Sequence, residues 1–330
     1  MKLLTVCIPC YNTVDHLDRA LEPCLLLKDE IEIIIIDQNS TDGTYHRAMQ
    51  YQEKYPETVK VIKNDNNVAD LKLAYHQATG LYFKYLNCYD WFDRASLVRV
   101  METLSDIIRV QANLDVIVTD YSYGYLKKQR KTSYRKLLPA DKIFGWHEIK
   151  HFKKNQYLLN HAMILKTQIV KEIIDNFPLK ANFQLEILAF GAIPYIRSFC
   201  YIDMPLYCFG KNPINYDRLY SLKSDELFEL ARLYFDYFDI YSLRSRKQRK
   251  YMIRYLAMVS LVVTVLLCKK GTQESLQNKE DIWIYLEYTN RRLYNDLKNT
   301  VYGRMAIGEK PLSNRLINHG YELIGKLYDL

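Results

Sequence analysis

The chain lacks three features that would assign it to a simple class of protein. Its 330 residues contain no internal repeat and no low-complexity tract, which excludes a repeat architecture. Its seven cysteines form no recurring CxxC pair at zinc-ligand spacing, and their odd number does not suit a complete disulfide framework. We therefore expect a reduced, cytoplasmic protein with one large globular domain and an appendage.

No apolar run in the sequence reaches the length expected of a membrane-spanning helix. The run from Tyr255 to Cys268 has 14 residues. As a helix it would cover roughly 21 Å of a hydrocarbon core that is roughly 30 Å thick. The N-terminal run is short as well, and Pro9, Tyr11 and Asn12 interrupt it where a signal peptide would have its cleavage region. We expect a buried or interfacial helix at 255–268 and a buried first strand.

Positive charge is in excess, which favours anionic partners. The formal net charge is +8, so a nucleotide diphosphate, a lipid headgroup and a nucleic acid are the classes to weigh. A basic cluster occupies 127–136, but no RNA- or DNA-binding motif accompanies it, and we do not expect nucleic acid as a partner. A second basic run, Arg244 to Lys250, directly precedes the apolar segment. It favours peripheral attachment to an anionic membrane surface at its cytoplasmic face.

Short runs rich in β-branched residues alternate with amphipathic stretches along the first 120 residues. The runs 3–8, 31–36, 59–62, 81–86 and 114–119 predict strands, and the stretches between them predict helices. Residues 33–36 are all isoleucine, which is typical of a parallel strand that is covered on both faces. We predict a doubly wound α/β sheet over residues 1–215, with an irregular or β-rich insertion at 120–150, and a helical region over 216–330.

The residues that follow these strands form the candidate site, because ligands of open α/β sheets bind beyond the carboxyl ends of the strands. The first strand is followed by Pro-Cys-Tyr-Asn at 9–12, and the second by Asp-Gln-Asn-Ser-Thr-Asp-Gly-Thr at 37–44. The strand that ends at Leu86 is followed by Asn-Cys-Tyr-Asp-Trp at 87–91. We expect these three loops to converge on one crevice.

In this order, the motifs resemble those of glycosyltransferase family 2, whose members open with P-x-Y-N and a second strand that ends D-D-G-S-T-D-G-T. Three further segments are similar to later landmarks of the family: Ala-Thr-Gly-Leu-Tyr at 78–82, Phe-Pro at 177–178 and Tyr-Ile-Asp-Met-Pro-Leu-Tyr at 201–207. The resemblance covers residues 1 to about 215 and implies a GT-A fold. It also implies inverting transfer of a sugar from a nucleotide-diphosphate donor, usually uridine-linked, to a glycan or lipid-linked glycan in cell-surface polysaccharide synthesis.

The resemblance assigns roles to residues of the first two loops and of the helix after the third strand. Asp37 takes the position of the acid that reads the base, since a carboxylate accepts a hydrogen bond from a uracil N–H. Pro9 and Tyr11 are expected to line the same pocket. Lys72 falls where the family often has a cation near the nucleotide, and an ordinary solvated helix lysine is the alternative.

The positions that carry negative charge in the family are mostly replaced. The D-x-D carboxylates, which hold a divalent cation, correspond here to Asn87 and Tyr89, on either side of Cys88. Asparagine brings no charge and a protonated tyrosine is a poor ligand for Mg²⁺ or Mn²⁺, so the case for a metal cofactor is weak. Asp90 is the carboxylate that remains in this loop, as a candidate metal ligand or catalytic residue.

The acceptor side differs from the family in the same way. The family's catalytic base corresponds to residues 183–184, Phe-Gln, which cannot take a proton, and the nearest carboxylate is Glu186. Two functions stay open. In a metal-independent transferase, Lys72, Lys211 or Arg218 would stabilise the leaving diphosphate. An inactive pseudo-glycosyltransferase would instead bind a nucleotide or glycan, or serve as a scaffold for a partner transferase. A homo-oligomer is equally compatible with the sequence.

Overall fold

The computed structural model describes residues 1–66, 68–123, 130–150, 152, 156–176, 184–210 and 223–308, with the side chains of 130 and 184–187 outside that description. Internal contacts divide the chain into two compact units. The first comprises Met1–His151 with Leu158–Lys211, and the second comprises Phe152–Tyr157 with Asn212–Leu330.

The first unit is built on a mixed ten-stranded sheet. Its strands are β1 (Leu4–Cys10), β2 (Ile31–Asp37), β3 (Val59–Lys63), β4 (Tyr82–Tyr85), β5 (Trp91–Phe92), β6 (Val116–Tyr123), β7 (Arg130–Thr132), β8 (Ile143–Gly145), β9 (Met163–Lys166) and β10 (Ser198–Cys208). They lie in the order β3-β2-β1-β4-β9-β6-β10-β5, with β7 on β6 and β8 on β10. The five predicted strands are confirmed, and the 120–150 segment contributes β7 and β8.

Strand directions place most carboxyl ends at one edge of this sheet. β1 pairs in parallel with β2 and β4, and β2 with β3. β9 is antiparallel to both β4 and β6, and β6 pairs in parallel with β10. Two reversals across β9 restore the original direction, so β1, β2, β3, β4, β6 and β10 all end at the same edge.

Helices of the first unit pack apolar stripes against this sheet. They are α1 (Val14–Leu25), α2 (Thr44–Lys54), α3 (Asp70–Gln77), α4 (Arg94–Arg109), α5 (Thr167–Asn176) and α6 (Gln184–Ala192). In α4 the buried residues Leu97, Val100, Met101 and Leu104 recur at helical spacing. The carboxylate of Asp93 accepts a hydrogen bond from the Ser96 amide at 2.9 Å, which caps the first turn of α4.

A buried carboxylate explains the Ala-Thr-Gly landmark. Glu32 on β2 is 3% exposed and accepts hydrogen bonds from the Thr5 hydroxyl, from the amide and hydroxyl of Thr79 and from the Gly80 amide. Burial raises the pKa of Glu32, but these hydrogen bonds outweigh it and the net pKa is lowered. A Cβ on Gly80 would lie 2.6 Å from the Thr5 nitrogen, so only glycine fits this close approach to β1.

The second unit is helical in the residues described. Its helices are α7 (Ser224–Asp236), α8 (Arg246–Lys270), α9 (Gln273–Thr289), α10 (Arg291–Lys298) and α11 (Val301–Ile307). Ser245 caps the start of α8, and Gly271, with a φ of 64°, ends it. The helical C-terminal region is therefore confirmed.

Helix α8 is longer than its apolar run suggested. It has 25 residues, so the length argument drawn from 14 apolar residues was too strict. By length and composition α8 alone, among the described helices, could cross a membrane, yet 83% of its most apolar 18-residue window is buried inside the structure. The core helix of a folded helical unit meets the same criteria, and the burial of α8 fits that description.

Candidate functional site

The loops after β1 and β2 are locked together at the carboxyl edge of the sheet. The Asn12 amide donates to the Ser40 hydroxyl at 3.0 Å, and the Asn12 side-chain oxygen accepts from the Thr41 amide at 2.8 Å. Asn12 has a φ of 50°, a left-handed conformation that asparagine tolerates better than most residues. The last position of P-x-Y-N therefore needs both a positive φ and an acceptor.

Asp42 joins the first turns of α1 and α2 to the same loops. Its carboxylate accepts from the Val14 amide at 3.1 Å and from the amide and hydroxyl of Thr44. Burial raises the pKa of Asp42, and the hydrogen bonds from Thr44 and Val14 outweigh it, so the net pKa is lowered. An ionised carboxylate between two helix N-termini is stabilised by both helix dipoles.

Asp37, predicted to read the base, lies beneath these loops at the end of β2. It is fully buried, and its Oδ2 accepts from the Ser40 amide at 3.1 Å. In the part of the chain that the structure describes, its Oδ1 is buried without a hydrogen-bond partner. A buried acceptor without a partner is unfavourable, because it loses its hydrogen bonds to water on folding. Pro9 pairs with Ile36 one register step before Asp37, and the Tyr11 side chain is 54% exposed beside it.

A polar network beside Asp37 was missed from the sequence. Asp70, the first residue of α3, is buried. It accepts hydrogen bonds from the side-chain Nε2 of Gln38 at 2.6 Å and from the side-chain Nδ2 of Asn64 at 3.1 Å. The residue in place of the family's second acid, Gln38, thus binds a carboxylate from the next crossover. Asp70 lies on the crossover after β3, seven positions beyond the end of that strand, and its partners on other segments were not visible in the sequence.

Lys72 lies in the first turn of that same helix and its side chain is exposed. Because α3 begins at the carboxyl edge and is tied to the β2 loop through Gln38, Lys72 belongs to the rim of the site. No ion pair is formed by Lys72 within the described residues, which leaves both of its interpretations open.

The loop after β4 brings its residues to the β1 loop. The Leu86 amide donates to the Cys7 carbonyl at 2.9 Å, which continues the parallel register beyond β4. The Cys10 thiol is buried and donates to the Ile8 carbonyl at 3.7 Å, and burial, with the neighbouring Cys88, raises the pKa of the Cys10 thiol well above its usual value. Cys10 is therefore neutral and offers no thiolate.

Asn87 and Tyr89, at the D-x-D positions, have different local roles. The Asn87 side-chain oxygen accepts from the Tyr89 amide at 3.3 Å, and the Asp90 amide donates to the Asn87 carbonyl at 2.9 Å. This is an Asx-type turn, which asparagine and aspartate both form. The Tyr89 ring lies 4.8 Å from the His16 ring, and burial, with the neighbouring Cys88 and Asp42, raises the pKa of its hydroxyl.

The described residues do not fit a divalent cation. Asp90 is buried, and its two oxygens accept hydrogen bonds from the Tyr207 hydroxyl at 2.6 Å and the Gly210 amide at 2.7 Å. Within the described ranges no three His, Cys, Asp or Glu residues are grouped as metal ligands would be. A hard cation prefers several carboxylate oxygens, which this loop does not present.

Two residues of α1 also reach this loop. An Arg19 amino group donates to the Tyr89 carbonyl at 2.7 Å, and its guanidinium lies 4.2 Å from the centroid of the Trp91 ring. His16 and Arg19 are three apart, which places them on one helix face. Neither residue could be found from the sequence, because the rotation of a helix relative to a distant loop is not visible in the residue spacing.

Other predicted site residues fall partly or wholly outside the described part of the chain. Lys211, Arg218 and the Phe-Pro at 177–178 lie outside it. Glu186 lies on α6, but the placement of its side chain also lies outside the description. Their predicted roles remain predictions.

Two cations of the basic cluster at 127–136 form ion pairs with carboxylates of the sheet strands. The Lys131 ammonium lies 2.9 Å from the Asp120 carboxylate, and the Arg135 guanidinium lies 3.2 Å from that of Asp203. Tyr201 donates to Asp120 at 2.7 Å and joins the two acids. These contacts give both cations a structural partner within the protein.

Comparisons with known proteins agree with this architecture. The family model of Glycosyl transferase family 2 matches residues 5–165. An uncharacterized glycosyltransferase of Nostoc sp. is 31% identical over 119 residues, which are 34% of this chain and 37% of that protein. A processive diacylglycerol beta-glycosyltransferase of Mycoplasma pneumoniae is 26% identical over 153 residues, 43% of this chain and 42% of that one. These matches span less than half the length of either relative.

Solved structures extend the likeness of fold beyond those segments. The crystal structure of S. aureus TarS 1–349 in complex with UDP-GlcNAc has a TM-score of 0.51 at 16% identity, over 87% of this chain and 91% of that one. The mannosyltransferase PcManGT of Pyrobaculum calidifontis, in complex with GDP-Man and Mn²⁺, has a TM-score of 0.50 at 12% identity, over 99% and 87% of the two chains. The first unit therefore has a GT-A fold, and residues 5–165 match the family model of Glycosyl transferase family 2.

Proposed function

We propose that the chain binds a uridine-diphosphate sugar at the carboxyl edge of the sheet and transfers the sugar to a glycan or lipid-linked glycan in cell-surface polysaccharide synthesis. The observation that carries this proposal is the meeting of the loops after β1, β2 and β4 at one edge of the sheet, where β2 ends at Asp37. The proposal assigns Asp37 to accept a hydrogen bond from a uracil N–H. The exposed ring of Tyr11 beside it offers a stacking face for the base.

The compared proteins support a nucleotide sugar and leave its base open. TarS 1–349 holds UDP-GlcNAc, whereas PcManGT holds GDP-Man with Mn²⁺. The diacylglycerol glycosyltransferase of Mycoplasma pneumoniae supports a lipid acceptor, and through it an action at a membrane surface.

This chain differs from a metal-dependent transferase in the group that would neutralise the charge of the leaving diphosphate. Because Asn87 and Tyr89 are neutral and Asp90 is engaged by Tyr207 and Gly210, we derive no step through a metal. We assign Lys72, which is exposed on the first turn of α3, to stabilise the leaving diphosphate, with Lys211 as the second candidate. Glu186 on α6 is the proposed base that takes the proton of the acceptor hydroxyl.

The same neutral positions support a second candidate function, a pseudo-glycosyltransferase that binds the nucleotide without turnover and acts with a partner transferase or a second copy of the chain. The two candidates share the nucleotide pocket and differ only in chemistry. Binding and turnover must therefore be measured separately.

Calorimetric titration with UDP and GDP, each with Mn²⁺ and with EDTA, tests the pocket. We expect UDP to bind more tightly than GDP. We also expect chelation to change the UDP affinity less than about twofold, well below the tenfold change that 1.4 kcal/mol represents. Absence of binding by both nucleotides contradicts the proposal. Hydrolysis of a UDP-sugar that is lost in Glu186→Gln supports the transferase, and binding without any turnover supports the pseudo-enzyme.

A group of exposed cations at the start of α8 supports a further proposal, that the chain attaches peripherally to the inner face of the membrane. Arg244, Arg246, Lys247 and Lys250 are all exposed next to the start of α8. Each cation near an anionic surface contributes about 1 kcal/mol. Co-flotation with anionic vesicles at low salt, lost when these four are changed to Gln, is the expected result. A chain that fails to float at low salt contradicts it.

A further inference from the structure

Tyr207 of β10 holds the loop after β4 through its hydroxyl. The hydroxyl accepts a hydrogen bond from the Asn87 amide at 3.2 Å and donates one to Asp90 Oδ2 at 2.6 Å. One phenol thus satisfies the first and the last residue of the loop Asn87–Asp90. Tyr207 is 2% exposed and Asp90 is 3% exposed, so water does not compete effectively for either bond.

The Tyr207 ring is itself fixed by neighbours from three strands or their flanking turns. The Phe209 ring lies 5.0 Å away, the Phe92 ring 6.1 Å away and edge-on, and the His161 ring 5.8 Å away. The Lys84 ammonium lies 5.3 Å from the Tyr207 ring centroid, and it also donates to the carbonyls of residues 160, 161 and 163. A ring enclosed in this way holds its hydroxyl at one place.

The other oxygen of Asp90 fixes the chain that leaves β10. Asp90 Oδ1 accepts from the Gly210 amide at 2.7 Å. A Cβ on Gly210 would lie 2.0 Å from the Tyr89 carbonyl oxygen, so the two backbones touch there. The Asp90 carboxylate therefore lies between the Tyr207 hydroxyl and the Gly210 amide, both near the end of β10, and each of its oxygens accepts one hydrogen bond.

We propose that Tyr207 and Asp90 form a clamp that sets the position of the Asn87–Tyr89 loop, and that Asp90 is a positioning residue of the donor site and not a metal ligand. The clamp rests on the proposed function, since the loop it holds is the one assigned to the donor. It replaces, with a phenol and a backbone amide, the bracing that a cation gives to a carboxylate loop. Its two residues are 117 positions apart along the chain.

The clamp is tested by Tyr207→Phe, Asp90→Asn and the double variant, with Tyr241→Phe as the matched control. Tyr241 donates to Asp296 at 2.7 Å in the second unit, so the control removes the same kind of bond elsewhere. Hydrogen exchange followed by mass spectrometry reads the Asn87 amide without any ligand. We expect at least fivefold faster exchange in peptides covering 86–90 for Tyr207→Phe and no change there for the control. Unchanged exchange in Tyr207→Phe overturns the clamp.

UDP titration of the same variants gives the functional readout. We expect about tenfold weaker binding in each single variant and no further loss in the double variant, because the two side chains act as one unit. Additive losses, or a loss of Mn²⁺-enhanced binding in Asp90→Asn that Tyr207→Phe does not share, overturn the assignment and support a metal ligand. If the unsubstituted chain binds no UDP, the proposed function fails, while hydrogen exchange still decides whether the clamp exists.

Discussion

The two sides of the site are braced by different means. On the β1 and β2 side, short polar residues within 33 positions of one another exchange hydrogen bonds, as Asn12 does with Thr41 and Asp42 with Val14. On the β4 side, the loop is held by Tyr207 and Gly210 from a strand more than a hundred positions later. Tyr207 ends the landmark at 201–207, but that motif does not indicate which distant loop its hydroxyl holds.

The comparison also separates what the family pattern keeps from what it loses. The retained residues Asn12, Asp42 and Gly80 each meet a demand of the backbone, a positive φ, two helix ends or a close approach. At positions 87 and 89, which differ from the family pattern, the side chains make only the turn of Asn87 and the contact of Tyr89 with His16. Substitutions at the first set should therefore cost more stability than substitutions at the second.

The largest effect is expected from Gly80→Ala. Its Cβ would meet the Thr5 nitrogen at 2.6 Å and the Leu4 carbonyl carbon at 2.8 Å, and neither backbone atom can move cheaply. Overpacking of this kind costs about 3 kcal/mol, or roughly 6–12 °C in thermal midpoint. Gly43→Ala is the matched control, because its φ of 94° is strained but no atom lies within 4 Å, and about 1 kcal/mol is expected. Equal losses in differential scanning calorimetry would contradict the packing argument.

A change of Asp37 to Asn should act on the ligand more than on the fold. It keeps the volume but replaces one charged acceptor by a donor, so UDP affinity should fall at least about tenfold, since a hydrogen bond to a charged group contributes about 1.5–3 kcal/mol. The matched variant is Asp106→Asn, an exposed helix residue paired with Arg109, which should bind UDP as the unsubstituted chain does. Unaltered UDP affinity in Asp37→Asn would show that the base is read elsewhere.

Asp42→Ala should lower both the stability of the chain and its affinity for UDP. It removes the acceptor for Val14 and Thr44 at two helix starts, and the loss of a capping carboxylate costs about 1–2 kcal/mol. We also expect a few-fold loss of UDP affinity, because the β1 and β2 loops would separate. Urea unfolding with and without UDP measures both terms, and an unchanged unfolding midpoint would remove Asp42 from the bracing.

The smallest effect is a dependence on pH from Glu32. Its pKa is lowered in the folded chain, so its contribution is present above the unfolded value of about 4.3 and is lost as pH falls through the lower folded value. Glu32→Gln should therefore destabilise the chain at pH 7, by an amount that shrinks as pH falls below about 4.3. A stability gap between the two that stays constant over this range would contradict an ionised Glu32.

Much of the first unit could be predicted because its signals are local. Isoleucines 33–36 and the residues that follow each strand gave the sheet, its buried centre and the edge where loops meet. Asp70 and Tyr207 could not be placed, since their importance arises from partners on other crossovers. The length of α8 was underestimated because its first turns carry the basic run, so the apolar segment marks only part of the helix.

The path of the chain between the units has a consequence for shortened proteins. Phe152 and Tyr157 belong to the helical unit. The Phe152 ring lies 4.7 Å from the Tyr251 ring in a tilted arrangement, and the Phe152 carbonyl accepts from Arg254. The Tyr157 ring lies edge-on, 5.6 Å from the Tyr255 ring. Cutting after residue 215 would remove α8 and leave these aromatic side chains without the surface that buries them. A fragment made by simple C-terminal deletion would therefore expose apolar aromatic side chains within the chain. Polar replacements at 152 and 157 would be needed to keep such a fragment soluble.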